Sequence, residues 1–549
     1  MEIIQLSMIM IPKLLERWQF NGLILSIVST ILMPLPAYGA EKITLIYGIF
    51  NTSIPVKSLE EFSQNGTVDK NLSVYLNFFN PKQQTQFRSF LNNDYSVETS
   101  ALNQLGQSYA GKQLLTVLGK VIKIPGGKNG YDAIRDSIIE ASTTPEGVSL
   151  INVIRHFPAD MEVDINYFLQ LINYITTLAQ KTQTFIKYLP TSAKNKSILV
   201  KTNLPNLAQE KVPASQIAKR ILSLYDKSRD RQLKVAFYLP QTTQKNLPVI
   251  IISNGLGARL ERFEELANHL ADYGFSIIIP DHPQSNYQRK TAFYEGLYSD
   301  PFDATEFIDR PLDITFILDH FEQLNKTQFN QKLNLEKVGI FGYSFGGATA
   351  FALGGAKINF KQLKKDCQSP NGFYNISILY QCRALELPEK SYNLKDNRIQ
   401  AIFAFFPFGR SLYGASEMNQ INIPVLWQAT DTDFITPLLK EQLFPFSWLK
   451  SSEKYLAISE KLPHSRSILK AMNQLSNQNI TEEQVVEATR YYLNILTVAF
   501  FNVYIAEDDF YRSYLNPDYT LSISKEPFKL YLIQNINFIY KLKLFKFFK

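Results

Sequence analysis

The stretch "VGIFGYSFGGATAFALGGA", Val338–Ala356, sets a serine between two glycines at the end of an apolar run and follows it with small residues. Glycine at 342 and 346 lets the backbone bend sharply around Ser344, where Cβ atoms would collide. The apolar residues before the bend read as a buried strand, and the small residues after it as the start of a helix packed on a sheet. That setting lifts a hydroxyl over the sheet near the positive end of a helix. The pentapeptide alone is a weak signal; between a strand and a helix it makes Ser344 a candidate nucleophile.

Outward from this turn, "RQLKVAFYLP", "LPVIIISNG", "FSIIIPDHP", "IQAIFAFFP" and "IPVLWQATDTD" read as strands rich in β-branched and aromatic residues. The segments "RFEELANHLADYG" and "RPLDITFILDHFEQL" read as helices between them. Continuous apolar strands alternating with amphipathic helices predict a mainly parallel sheet covered on both faces. Ligands on such sheets sit beyond the carboxyl ends of the strands, and each motif below falls at such an end.

A serine hydroxyl attacks poorly until a base takes its proton and donors receive the oxyanion that forms. In this setting the partners follow in the order serine, carboxylate, histidine. The chain has five histidines, and His464, in "KLPHSRS" after the strand "KYLAISE", is the one that follows Ser344. The carboxylate is expected in "DTDFITP": Asp433, whose loop closes at Pro437, is preferred, with Asp431 in reserve. His282, in "IPDHPQSN", also follows a strand and is an alternative base, although it precedes the serine. His156, His269 and His320 read as structural. The oxyanion donors expected are the backbone N–H groups of Phe345 and of Leu256, the latter in the glycine turn "SNGLGAR". This chemistry requires no metal and no organic cofactor. The aromatic segments "FAFFPFG" and "TAFYEGLY" suggest an apolar acyl pocket.

The chain of 549 residues exceeds one hydrophobic core, which predicts two folded domains. Its formal charge of +7 comes from 57 basic and 50 acidic residues spread among one another, so nothing supports nucleic-acid binding. Lys13 and Arg17 precede the apolar run Gly22–Leu35 and the small residues Ala37 and Gly39, the pattern of a secretory signal cleaved near Gly39 or Ala40. Export to a periplasmic or extracellular compartment is expected; an uncleaved membrane anchor is the alternative, but spanning takes about 20 apolar residues and Pro34 and Pro36 interrupt the run. The two cysteines, Cys367 and Cys382, can close a disulfide in an oxidising compartment; two buried free thiols are the alternative. Residues 40–190 read as helical, with a capping box at Ser58 and Glu61, a stop at Gly66 and a helix starting at Pro81. The expected layout is a signal at 1–39, a helical domain of unknown task at 40–190, the sheet domain at 197–525 and a tail at 526–549. That tail is aromatic and basic, carrying Lys541, Lys543, Lys546 and Lys549, and contact with a membrane surface is one reading of it.

Between Leu199 and Thr520 the segments "YLPQ", "SNGLGA", "LADYGFSIIIPDHPQSN", "FIDRPLDITFILD", "GYSFGGATA" and "DFITPLLKEQ" resemble the α/β-hydrolase superfamily. The finer resemblance is to the branch that includes dienelactone-hydrolase-like proteins and plasma-type platelet-activating-factor acetylhydrolases. The N-terminal part resembles a domain of unknown function fused to such hydrolases in cyanobacteria. The resemblance implies an α/β-hydrolase fold behind a smaller, mostly helical domain, and a Ser-Asp-His esterase acting on lipid or short acyl esters. Two departures stand out. Asn254 occupies a place where such hydrolases often carry histidine, and "IQAIFAFFPFGRSL" lacks the acid that the plasma-type branch carries after that strand. Other expectations are a hydrolase of thioesters or amides, or a binding protein that keeps the fold as a scaffold.

Overall fold

The computed structural model describes residues 39–95, 98–193, 204–209, 217–369, 375–476 and 478–534. All but the last residue of the expected signal segment 1–39, and Lys541, Lys543, Lys546 and Lys549 of the C-terminal tail, lie outside the described residues. The chain divides into two compact units. One holds the chain up to Gln180 with Ala292–Asp300 and Lys470–Asn479; the other holds Lys181–Thr291, Pro301–Leu469 and the chain from Ile480 on.

The first unit is rich in helices, among them Val56–Asn65, Pro81–Asn92, Tyr109–Val121 and Tyr131–Ser142. Their apolar faces meet in a core around Phe62, Leu72, Leu102, Ile138 and Phe157. The expected stop at Gly66 holds, with φ +81° at that residue, and Asn80 caps the helix that starts at Pro81. The capping box does not form. The helix already begins at Val56, and the Ser58 hydroxyl donates to Asp69 Oδ2 at 2.7 Å. The unit also carries a five-stranded sheet that the helical reading did not contain: β1 (Lys42–Tyr47), β2 (Phe50–Pro55), β3 (Ile122–Ile124), β4 (Lys128–Asn129) and β5 (Met161–Asp164), in the order β2-β1-β5-β3-β4. β3, β4 and β5 are too short to carry a periodicity, whereas β1, as long as β9, pairs in parallel with β5, a partner far along the chain that no local pattern marks.

The second unit is built on a nine-stranded sheet. Its strands are β6 (Ile217–Asp226), β7 (Arg231–Pro240), β8 (Leu247–Ser253), β9 (Ser276–Asp281), β10 (Leu333–Tyr343), β11 (Ile399–Phe405), β12 (Val425–Ala429), β13 (Lys454–Ser459) and β14 (Leu530–Ile533). Their order across the sheet is β14-β13-β12-β11-β10-β8-β9-β7-β6. From β9 through β13 every pairing is parallel, while β7 and β14 run antiparallel to their inner neighbours. The Val, Ile, Leu and Phe runs of the central strands are buried, as a sheet covered on both faces requires. Helix Glu264–Asp272 packs with Glu482–Tyr504, and helix Glu306–Thr327 packs with Phe345–Leu353. Because β8, β10, β12 and β13 are parallel, their carboxyl ends open on one rim.

The excursion between Phe345–Leu353 and β11 is closed by a disulfide joining Cys367 and Cys382, with 5.8 Å between their Cα atoms.

Candidate active site

Four loops meet at that rim. After β10 the chain turns into the helix Phe345–Leu353 through Ser344, whose φ is 53°. A non-glycine residue held at positive φ carries local strain, on the order of 1–3 kcal/mol, that the surrounding contacts must offset. Those contacts are visible. The Ser344 N–H donates to the Phe405 carbonyl at 2.9 Å. A Cβ at Gly342 would overlap the Gly346 carbonyl, and one at Gly346 would overlap the carbonyl of Ser253. Both glycines are there so that backbone can approach backbone.

Ser344 Oγ lies 3.1 Å from His464 Nε2, and His464 Nδ1 lies 2.6 Å from Asp433 Oδ2. The histidine comes from the loop after β13 and the carboxylate from the loop after β12, so the structure brings all three expected side chains into one relay. His464 and Asp433 are buried, with 6% and 4% of their surfaces exposed. Burial alone would push the Asp433 carboxyl up. The neighbouring imidazole, together with the donors around it, holds it below its ordinary value instead. Its Oδ1 accepts the N–H groups of Ile435 and Thr436, each at 2.8 Å, and its Oδ2 accepts the Thr436 hydroxyl. Those donors leave Oδ2 aimed at the ring.

Asp431, the reserve acid, does not face the histidine. Its Oδ1 accepts the Lys461 N–H at 2.7 Å, and Thr432 Oγ1 donates to the Leu462 carbonyl at 3.0 Å. The acid loop is thus clamped onto the loop that carries His464. Burial pushes the Asp431 carboxyl up to about 6. From the elbow, the Tyr343 hydroxyl donates to the His464 carbonyl at 2.7 Å, fixing the same loop from below.

The glycine turn after β8 lies against the elbow. A Cβ at Gly255 would sit 3.4 Å from the Cβ of Ser344, and Gly257 has φ +66°. Among the described residues, neither the Leu256 nor the Phe345 backbone N–H has a hydrogen-bond acceptor within the protein. Both are therefore donors without a partner of their own within the protein. Asn254, where histidine is common in the resembling hydrolases, turns its side-chain amide back to the carbonyls of Arg259 and Leu260, at 3.3 and 3.4 Å.

The segment after β11 carries no acid. Phe406 occupies it at φ 47°, with its ring 5.9 Å from that of His464. His282 lies elsewhere than the alternative reading placed it. It is buried, its Nδ1 is 2.9 Å from Asp313 Oδ2, and its Nε2 is 3.3 Å from Ser253 Oγ. Asp313, Arg310 and Glu306 around it were not singled out from the sequence. The signal was present: "EFIDRPLD" sets four charges in a helix that must pack on a sheet. His156 follows the helix Leu150–Arg155 and His269 contacts the Leu207 carbonyl at 2.8 Å, both structural positions.

With the geometry in place, two families match parts of the chain. One described as an α/β hydrolase of unknown function matches residues 39–164, and one described as the α/β hydrolase fold matches residues 248–362. Strand order, elbow and second match show an α/β-hydrolase fold, preceded in the chain by the segment that the first family matches. Two solved structures are similar to it: the native structure of a novel cold-adapted esterase from an Arctic intertidal metagenomic library, and a complex of such an esterase with polyethylene glycol. They are 15% and 14% identical, cover 52% of this chain and 95% and 96% of their own, with TM-scores of 0.30 and 0.32. No curated protein matches the chain.

Proposed function

We propose that this protein is a serine hydrolase of carboxylic esters. The observation that carries the reading is the unbroken relay from Ser344 Oγ through His464 to Asp433, at 3.1 and 2.6 Å. The Ser344 hydroxyl donates to His464 Nε2, which takes its proton as the oxygen attacks the ester carbonyl. Asp433, accepting from Nδ1–H, holds the ring in the tautomer that leaves Nε2 basic and stabilises the imidazolium that forms. The oxyanion is received by the N–H groups of Leu256 and Phe345. Nε2 then returns its proton to the leaving alkoxide, and water, deprotonated by the same nitrogen, hydrolyses the acyl-enzyme.

An acyl group of lipid-like or short-chain character is the substrate class we assign, as in the acetylhydrolase branch the sequence resembles. It is supported by the rings of Phe302, Phe307 and Phe408, each 5.0–5.5 Å from that of Phe345, which immediately follows the nucleophile. An exported protein is the matching location, and a disulfide belongs in an oxidising compartment.

A fluorophosphonate probe tests the reading. It labels the protein stoichiometrically, and Ser344→Ala loses both the label and turnover across a panel of p-nitrophenyl esters of increasing chain length. Labelling that survives in Ser344→Ala, or a folded wild-type protein inert to probe and panel alike, overturns it.

A further inference from the structure

Beneath the glycine turn lies a second Ser-His-Asp relay, Ser253–His282–Asp313, embedded in charge and closed to solvent. With Ser253 fully buried, it has no route to a substrate. Its surroundings give it a different task. Arg310, 1% exposed, donates from Nη1 to the Asn254 carbonyl at 2.8 Å and from Nε to Ser285 Oγ at 2.8 Å. Its guanidinium also lies over the ring of Phe345, 4.4 Å from the centroid. Asn254 is two residues before Leu256, so one side chain grips both segments that carry the unpaired N–H groups. The Ser285 carbonyl accepts the Gly257 N–H at 2.8 Å and holds the far side of the turn.

Arg310 is itself held. Glu306 accepts from Ser285 and from Arg231 and lies 3.5 Å from Arg310. Arg231 donates to both oxygens of Asp313, at 2.7 and 2.9 Å, and Arg229 adds a bond to the same carboxylate at 2.9 Å. Asp313 then fixes His282, and His282 reaches Ser253 at the end of β8. A buried network of paired charges is stiff, and oxyanion donors work only when aimed before the charge develops.

We propose that Arg310 is a positioning residue that presets the Leu256 and Phe345 N–H groups for the oxyanion, with the Glu306–Arg231–Asp313–His282 cluster as its support. This rests on the ester-hydrolase reading. The expected consequence is selective: removing the grip harms the transition state and leaves ground-state binding alone.

The experiment compares wild type, Arg310→Lys and Arg310→Met by ester kinetics, by affinity for a trifluoromethyl ketone, whose serine adduct carries the oxyanion, and by thermal unfolding. Lysine keeps the charge but cannot donate in two directions at once to the Asn254 carbonyl and Ser285. We expect kcat to fall about tenfold in Arg310→Lys and about a hundredfold in Arg310→Met, with KM within about threefold and ketone affinity falling in parallel with kcat. Arg310→Met strands Glu306; if it does not fold, the lysine variant decides alone. A folded Arg310→Lys with wild-type kcat and ketone affinity, or one whose loss lies in KM, overturns the inference. A wild-type protein inert to fluorophosphonate instead overturns the hydrolase reading beneath it.

Discussion

At the scale of single residues, two aspartates two positions apart have different tasks because their partners differ. Asp433 faces His464, while Asp431 accepts a backbone N–H from the loop that carries it. In the proposed mechanism Asp433→Asn presents the wrong tautomer and lowers kcat by about 10³–10⁴. Asp431→Asn keeps an acceptor for Lys461 and is expected to leave kcat within about threefold. Its effect appears in stability. The carboxyl is raised from 3.8 to about 6 by burial, so the folded chain holds a proton that the unfolded chain has released. Wild-type stability is therefore unpenalised below pH 3.8 and falls as pH rises from there to about 6. The asparagine variant escapes that loss. Its melting temperature should match wild type near pH 4 and exceed it at pH 7, by the equivalent of on the order of 1–3 kcal/mol. Equal differences at both pH values would show that burial does not raise this carboxyl, and a kcat collapse in Asp431→Asn would return Asp431 to candidacy as the relay acid.

At the scale of elements, the strands that the sequence revealed are the central ones. β8, β9, β11 and β12 and the second halves of β7 and β10 are apolar runs because both faces are covered there, and that composition is a local property. Elements whose identity depends on a partner were not legible. Helix Glu482–Tyr504 opens with a full capping box at Thr481 and Gln484, but its second half is buried on every side, which erases the polar stripe that marks a helix. β14 falls within the tail expected at 526–549, yet Leu530, Tyr531, Leu532 and Ile533 are all buried and the strand pairs with β13. Ending the chain after Pro527 exposes the edge of β13 and removes five buried apolar side chains, Phe528 and the four of β14, each worth about 1.5–3 kcal/mol. Such a protein is expected to melt well below the full chain or to aggregate. An unchanged melting temperature would show that β14 contributes nothing to the sheet.

At the scale of the whole molecule, the disulfide secures more than its own loop. Helix Ile376–Gln381 ends beside Cys382, and Gln381 Oε1 accepts the N–H groups of Ser411 and Leu412, each at 2.9 Å, while Asp366 Oδ2, beside Cys367, accepts the Ser411 hydroxyl at 2.8 Å. Glu441, on the turn after β12, accepts from Gln381 at 3.1 Å. The bridge thus ties the excursion to the loops that follow both β11 and β12. Replacing both cysteines by alanine removes a constraint worth about 3 kcal/mol for a loop of this size, and the urea midpoint should fall accordingly. If the alanine variant and the reduced wild-type protein unfold at the oxidised wild-type midpoint, the bridge is not formed or carries no stability.

The sequence by itself determined the alternation of buried strands and helices and the elbow at Ser344, because each is written in residues next to one another, and it set the chain order of Ser344, Asp433 and His464, each just past a strand. Only the tertiary structure decided which of Asp431 and Asp433 meets His464, that His282 turns inward to Asp313, and that Arg310 reaches beneath the turn at Leu256. Those choices depend on where distant loops come to rest when parallel strands align their carboxyl ends. A charged side chain in a helix does not reveal, until the helix packs, whether it faces water or another charge.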